Sequence, residues 1–163
     1  MKIIQTSVLT LVERQALFKL WNFEYPVKIG YQKISEFDDY LEKLTNKKYY
    51  LLISEINEIL GWGFTFVRDN DNWFGIKVNS KMNKKGHGTV LLNELKRNNL
   101  VLNGWVIDHK NEIKQNNEPY ISPIDFYKKN GFLVNHDIRI KNDKISALKI
   151  IWKDVLNIRI QNN

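Results

Sequence analysis

Asn79-Ser80-Lys81-Met82-Asn83-Lys84-Lys85-Gly86-His87-Gly88-Thr89-Val90-Leu91-Leu92 joins two unlike kinds of sequence. Before it, Trp73-Phe74-Gly75-Ile76-Lys77-Val78 is short, aromatic and branched, the composition of a buried strand. After it, leucines recur at helical spacing. The junction is basic and punctuated by glycine, so a strand runs through a cationic loop into the start of a helix. Backbone N–H groups at a helix start have no partner in the helix, the helix dipole favours an anion there, and glycines let a ligand approach the main chain closely. The loop is suited to hold phosphate. Lys81, Lys84, Lys85, Lys96 and Arg97 add charge around it, although each is equally consistent with a solvated basic surface.

Spacing separates the phosphate-binding loops that this one could be. A mononucleotide loop needs G-x-x-x-x-G-K-[ST], which is absent. A dinucleotide fingerprint needs G-x-G-x-x-G, and Gly86-His87-Gly88 is followed by Leu91 where the third glycine belongs. The loop also lies in mid-chain, after strands that read as antiparallel.

Outward from the loop, the pattern predicts an N-terminal helix over Val8 to Glu24 with Ser7 as its cap, ended by Tyr25-Pro26. A second helix runs from Ser35 to Leu44. Strands follow at Tyr49–Ile53, Gly61–Val67 and Trp73–Val78, the last two forming an antiparallel hairpin across Arg68-Asp69-Asn70-Asp71-Asn72. The helix from Gly86 ends near Asn98-Asn99, and Leu100–Ile107 is the strand of a parallel crossover. A polar insertion, Asp108 to Glu118, precedes a short helix over Ile124–Lys129 stopped by Gly131. Phe132–Val134, His136–Ile140 and Ser146–Trp152 supply the remaining strands.

The chain of 163 residues is long enough for one well-filled core, and no linker, repeat or composition change divides it, so residues 1–163 are read as a single domain. Hydrophobic residues at 43% and charged residues at 26% are ordinary globular usage, which removes disordered and fibrous classes. Absence of cysteine removes disulfides, thiolate nucleophiles and thiolate metal sites, and three scattered histidines argue against a metal. No apolar run approaches the ~18 residues of a membrane span and no secretory leader is evident, so the expectation is a cytoplasmic protein without a membrane partner. Abundant Asn and Ile, with Lys far exceeding Arg, is the usage of AT-rich bacterial genomes. A net charge of +7 admits polyanionic partners without choosing among them.

The hexad Asn83-Lys84-Lys85-Gly86-His87-Gly88 resembles the coenzyme A loop [Q/R]-x-x-G-x-[G/A] of the GNAT family, the Gcn5-related N-acetyltransferases, with Asn83 in place of the usual Gln or Arg. Phe126-Tyr127-Lys128-Lys129-Asn130-Gly131-Phe132 is similar to the family's second signature, a tyrosine-bearing helix ending in Gly-Phe as the next strand starts. The two occur in the family's order with a strand between them, and the likeness spans roughly residues 49 to 152.

The resemblance implies an α+β fold: a twisted mixed sheet of about six to seven strands with helices on both faces. It implies acetyl-CoA as donor and a primary amine, unidentified, as acceptor, with direct attack on the thioester and no metal. The main chain of Ile76, Lys77 and Val78 would pair with the pantetheine arm, and Lys84, Lys85, Gly86, His87, Gly88 and Thr89 would cradle the pyrophosphate. Tyr127 would protonate the departing thiolate, as a phenol of pKa ~10 can at neutral pH. Trp73 to Val78 lacks the carboxylate that relatives often use as base, so Asp108 and His109 are the candidates, with Glu55, Glu58 or water behind them. Trp105, Trp62 and Tyr31 are candidate acceptor-site aromatics, and the Asp108–Tyr120 insertion is expected to shape that pocket. His87 is read as filler and His136 as structural. The chain is expected as a monomer or homodimer. Two other classes fit less of the sequence: a non-catalytic CoA-binding module, from the missing carboxylate, and a basic nucleic-acid-binding protein, from the charge and strand aromatics.

Overall fold

A computed structural model of the chain describes residues 1–82 and 85–161; Asn83 and Lys84 of the hexad lie outside the described residues. The elements in order are β1 (Lys2–Thr6), α1 (Leu11–Glu24), α2 (Ile34–Glu42), β2 (Thr45–Ile53), β3 (Ile59–Arg68), β4 (Asp71–Val78), α3 (His87–Arg97), β5 (Val101–Val106), α4 (Ile124–Lys129), β6 (Leu133–Lys141), β7 (Ser146–Lys153) and α5 (Val155–Gln161). One seven-stranded sheet orders them β1-β2-β3-β4-β5-β7-β6. All neighbours are antiparallel except β4 and β5, which the crossover through α3 makes parallel.

The β3–β4 hairpin forms as the polar turn predicts. Asp69 and Asn70 both adopt positive φ (52° and 61°), the two-residue turn whose twist matches the strands, and Arg68 pairs with Asp71 across it. Alternation along β3 then sorts side chains to the two faces. Trp62, Phe64 and Phe66 meet α1 and α2 through Leu17, Trp21, Phe37 and Leu41. On the opposite face, Phe74, Ile76, Leu102 and Ile150 meet Leu91, Leu92 and Leu95 of α3 and Tyr127 of α4. The α+β architecture with helices on both faces is therefore as expected. Trp62 is wholly buried although its indole N–H has no partner. An unmet donor costs about 1–3 kcal/mol, less than the roughly 3–5 kcal/mol at stake in burying such a ring.

Several boundaries differ from the expected ones. Helix α1 starts at Leu11, capped by Thr10 and not Ser7: the Thr10 hydroxyl accepts the Glu13 N–H (3.2 Å) and the Glu13 carboxylate accepts the Thr10 N–H (2.7 Å). Helix α2 starts at Ile34, where the Glu36 carboxylate takes the N–H groups of Gln32 (2.8 Å) and Lys33 (3.1 Å). Strand β1 and helix α5 were not expected. The stretches at 132–134 and 136–140 are one strand, β6, with an irregularity in its register between Asn135 and Arg139.

Candidate active site

Strands β4 and β5 are held together at only one rung, Trp73 opposite Asn103. The Asn103 side chain reinforces it by donating to the Asn72 carbonyl (3.1 Å). Beyond that rung each strand is committed elsewhere, β4 to β3 from Asp71 through Val78 and β5 to β7 from Val101 through Val106. The sheet opens like a V, and the main chain of Gly75, Ile76, Lys77 and Val78 has no ladder partner on its β5 side among the described residues. A crevice at the carboxyl ends of adjacent parallel strands is the usual ligand position in sheets of this kind.

Beyond β4 come the described residues that precede α3, Asn79 to Met82 and Lys85 to Gly86. A short 3₁₀ turn, Ser80–Met82, leads to Gly86, which caps α3 in the left-handed conformation (φ 79°) with no side-chain cap. A Cβ on Gly86 would touch nothing within 4 Å, so backbone conformation and not space explains a glycine there. The N–H groups of His87, Gly88 and Thr89 form the uncapped first turn, with exposed Lys85 beside them. Gly88 has a second reason: a Cβ would lie 3.3 Å from the Phe126 ring, so its absence lets α3 and α4 approach. The start of the loop is anchored from α1, whose buried Glu24 accepts the Ser80 N–H at 2.7 Å.

Tyr127 stands on α4 across the opening. Its ring is buried edge-on to Phe74 (5.8 Å, 76°) and Phe132 (5.4 Å, 66°), and it lines the cleft described next. Burial, followed by Tyr120, holds the phenol far above its ordinary pKa, so it is protonated at every physiological pH.

The opening widens into a cleft of about 1310 Å³. Gly75, Ile76 and Trp105 border it from the split strands; Trp21 from α1 and Tyr25 just past its end; Tyr40 from α2; Phe64, Phe66 and Arg68 from β3. Tyr31 and Trp105, expected at the acceptor site, line it, whereas Trp62 belongs to the core beneath. From the insertion, Gln115 reaches the lining, because that segment is pinned to the α1 end: the Val27 N–H donates to the Ile113 carbonyl (3.0 Å) and Lys114 lies 3.9 Å from Glu24. From sequence Trp21 reads only as part of the first helix's apolar face, and Phe18, three residues before it on the same side, was not singled out.

The candidate bases are placed apart from this cleft. Both Asp108 oxygens are bound by the Arg139 guanidinium (2.8 and 2.7 Å), which pulls the carboxyl below its usual pKa. The His109 ring accepts the Asn111 N–H at 3.4 Å. Glu55 sits beside the N-terminal amine and Glu58 in the same β2–β3 turn. None of the four lines the cleft.

Lys77 is the unusual titratable group on β4. Half-buried, it donates to the Glu24 carbonyl (3.3 Å) and lies over the rings of Tyr25 (4.1 Å) and Tyr120 (5.1 Å). Burial pushes its pKa down to about 8, with Glu24 opposing and Lys114 assisting the drop. In the unfolded chain Lys77 titrates at its ordinary 10.5, so between about pH 8 and 10.5 the unfolded state binds more protons and the contribution to stability rises with pH. Lys77→Met should therefore be more stable than the native chain below pH 8 by about 1–2 kcal/mol, a figure reduced for solvent access to a half-buried group. The margin should vanish by pH 10.5. Urea unfolding of both proteins from pH 7 to 10.5 checks this; a pH-independent difference would mean that Lys77 is not depressed.

The single-rung split, the crossover helix with its uncapped glycine start, and the tyrosine helix opposite define the GNAT fold, the fold of the Gcn5-related N-acetyltransferases. An aminoglycoside 6'-N-acetyltransferase solved in complex with coenzyme A superposes with a TM-score of 0.70 over 94% of this chain and 97% of its own, at 15% identity. A GNAT-family acetyltransferase from Staphylococcus aureus gives 0.66 over 93% and 99%, at 15% identity. A ribosomal-protein-alanine N-acetyltransferase from Brucella melitensis gives 0.64 over 94% and 99%, at 16% identity. No protein-family model and no curated protein sequence matches the chain.

Proposed function

We propose that the chain transfers an acetyl group from acetyl-CoA to a primary amine. The observation that carries this is the open β4 edge, lying between an uncapped cationic helix start and a protonated buried tyrosine. In that arrangement the pantetheine amides pair with the main chain of Ile76, Lys77 and Val78. The pyrophosphate takes the N–H groups of His87, Gly88 and Thr89, beside Lys85 and, outside the described residues, Lys84. The fold supports the reading, since its neighbours are acetyltransferases and one was solved with coenzyme A.

The amine nitrogen, once deprotonated, attacks the thioester carbonyl carbon; a C–N bond forms, the C–S bond breaks, the thiolate takes its proton from the Tyr127 hydroxyl, and the second proton shed by the nitrogen passes through cleft water to restore the phenol. The ammonium proton leaves first, to water in the cleft. Asp108, held by Arg139, is too weak a base for this step, and His109 does not line the cleft. Isothermal titration with acetyl-CoA, followed by thiol release with a panel of primary amines, tests the proposal. Acetyl-CoA that fails to bind would end it.

One observation favours a second reading. Trp73 to Val78 presents no carboxylate to the opening, as a CoA-binding module without catalysis would be built. Tight acetyl-CoA binding with no amine-dependent thiol release would select it.

A further inference from the structure

The lining of the cleft carries more than its position. Aromatic rings dominate it, and they face one another closely: Trp73 and Trp105 are 5.3 Å apart at 30°, and Trp21 and Tyr25 are 4.4 Å apart. Its charges are unbalanced. Glu36 is the one carboxylate among the lining residues, and its pKa is lowered because the N–H groups of Lys33 and Gln32 bind it. Asn22 is spent, its amide accepting from and donating to the Tyr31 main chain (2.8 and 2.9 Å). Against Glu36 stand Lys28, Arg68 and Lys144. Lys28 is paired with Glu112 at 3.2 Å. Arg68 has no carboxylate partner among the described residues; its guanidinium lies over the rings of Phe66 (5.1 Å) and Trp73 (5.6 Å).

Such a wall favours flat apolar surface and opposes repeated positive charge. Ring stacking rewards an aromatic body, and one ammonium can be carried to the thioester, where it must be neutral to react. Glu36 can answer one ammonium, and each further one would meet Arg68 and Lys144 in place of a carboxylate, a repulsion that sets partner choice. The structural neighbours named for aminoglycosides act on polycations, so resemblance in fold would point to the wrong acceptor here.

Resting on the reading of the cleft as an acceptor site, we propose that the acceptor is a primary monoamine borne on a flat aromatic body, and that the chain discriminates against polyamines, with Arg68 as a specificity-determining residue. Tryptamine, kanamycin and spermidine are titrated calorimetrically into the protein with and without saturating CoA. Thiol release from acetyl-CoA is read separately with each amine. Tryptamine should bind at least about 100-fold more tightly than either polycation. Arg68→Glu, an exposed position, should narrow that ratio by about tenfold by replacing a repelling cation with a second carboxylate. Kanamycin or spermidine binding as tightly as tryptamine, no tryptamine binding at millimolar concentration, or an unchanged ratio in Arg68→Glu would overturn the proposal. Tryptamine binding without thiol release would uphold the acceptor class and count against acetyl transfer.

Discussion

Tyr127→Phe should lower the turnover of acetyl transfer by about 100-fold or more, the usual yield of a positioned proton donor, with acetyl-CoA affinity nearly unchanged. The substitution keeps the ring that packs edge-on against Phe74 and Phe132, so the fold and the cleft wall stay as they are. Only the hydroxyl is removed. Burial keeps that hydroxyl protonated far above neutrality, so the native chain should show no loss of rate from its ionisation up to the alkaline limit of folding. The variant should gain a dependence on the acidity of the leaving thiol, because the thiolate must then depart unprotonated. Steady-state rates with acetyl-CoA and calorimetric affinities decide: equal turnover in both proteins would remove Tyr127 from the mechanism.

The second large effect is expected at Gly86. Its φ of 79° costs a residue with a Cβ about 1–2 kcal/mol, more for a branched one, although no atom stands in the way. In Gly86→Val the loop should relax toward negative φ and turn the first N–H groups of α3 away from their common focus. Acetyl-CoA affinity should fall by about tenfold or more, each 1.4 kcal/mol being a factor of ten. Gly86→Asn should recover most of the loss, since asparagine tolerates this conformation. Steric filling would make Asn as harmful as Val, so equal losses in calorimetry would refute the conformational account.

What the sequence discloses follows the range of the forces involved. The hairpin across Asp69-Asn70 and the stop at Gly131 are local events, set by residues that tolerate positive φ, and both formed where expected. The start of α1 was also local but was misplaced, because Ser7 is a good cap in isolation while Thr10 and Glu13 satisfy each other. Strand β1 has only Ile3 and Ile4 as signal and exists through pairing with β2. In the candidate site, Gly86 and Tyr127 could be singled out because each carries its own pattern, and they stand at the start of α3 and in the cleft lining. The cleft wall could not. Trp62 and Trp105 are both strand tryptophans, and only the packing of α1 and α2 decides that one is sealed in the core and the other borders the cleft. Asp108 looked free in sequence, yet Arg139, thirty-one positions later, claims both its oxygens.

The one-rung seam between β4 and β5 also bears on how the protein holds itself together. Mechanically the sheet is two plates, β1 to β4 and β5 to β7, riveted at Trp73 and Asn103 and otherwise joined by the helices laid across them. A donor molecule stretched along the bare edge of β4 would act as a brace between the plates, supplying rungs the chain does not. Folding and donor binding would then draw on the same free energy, and each tenfold rise in donor concentration above its dissociation constant would add about 1.4 kcal/mol to the stability of the native state.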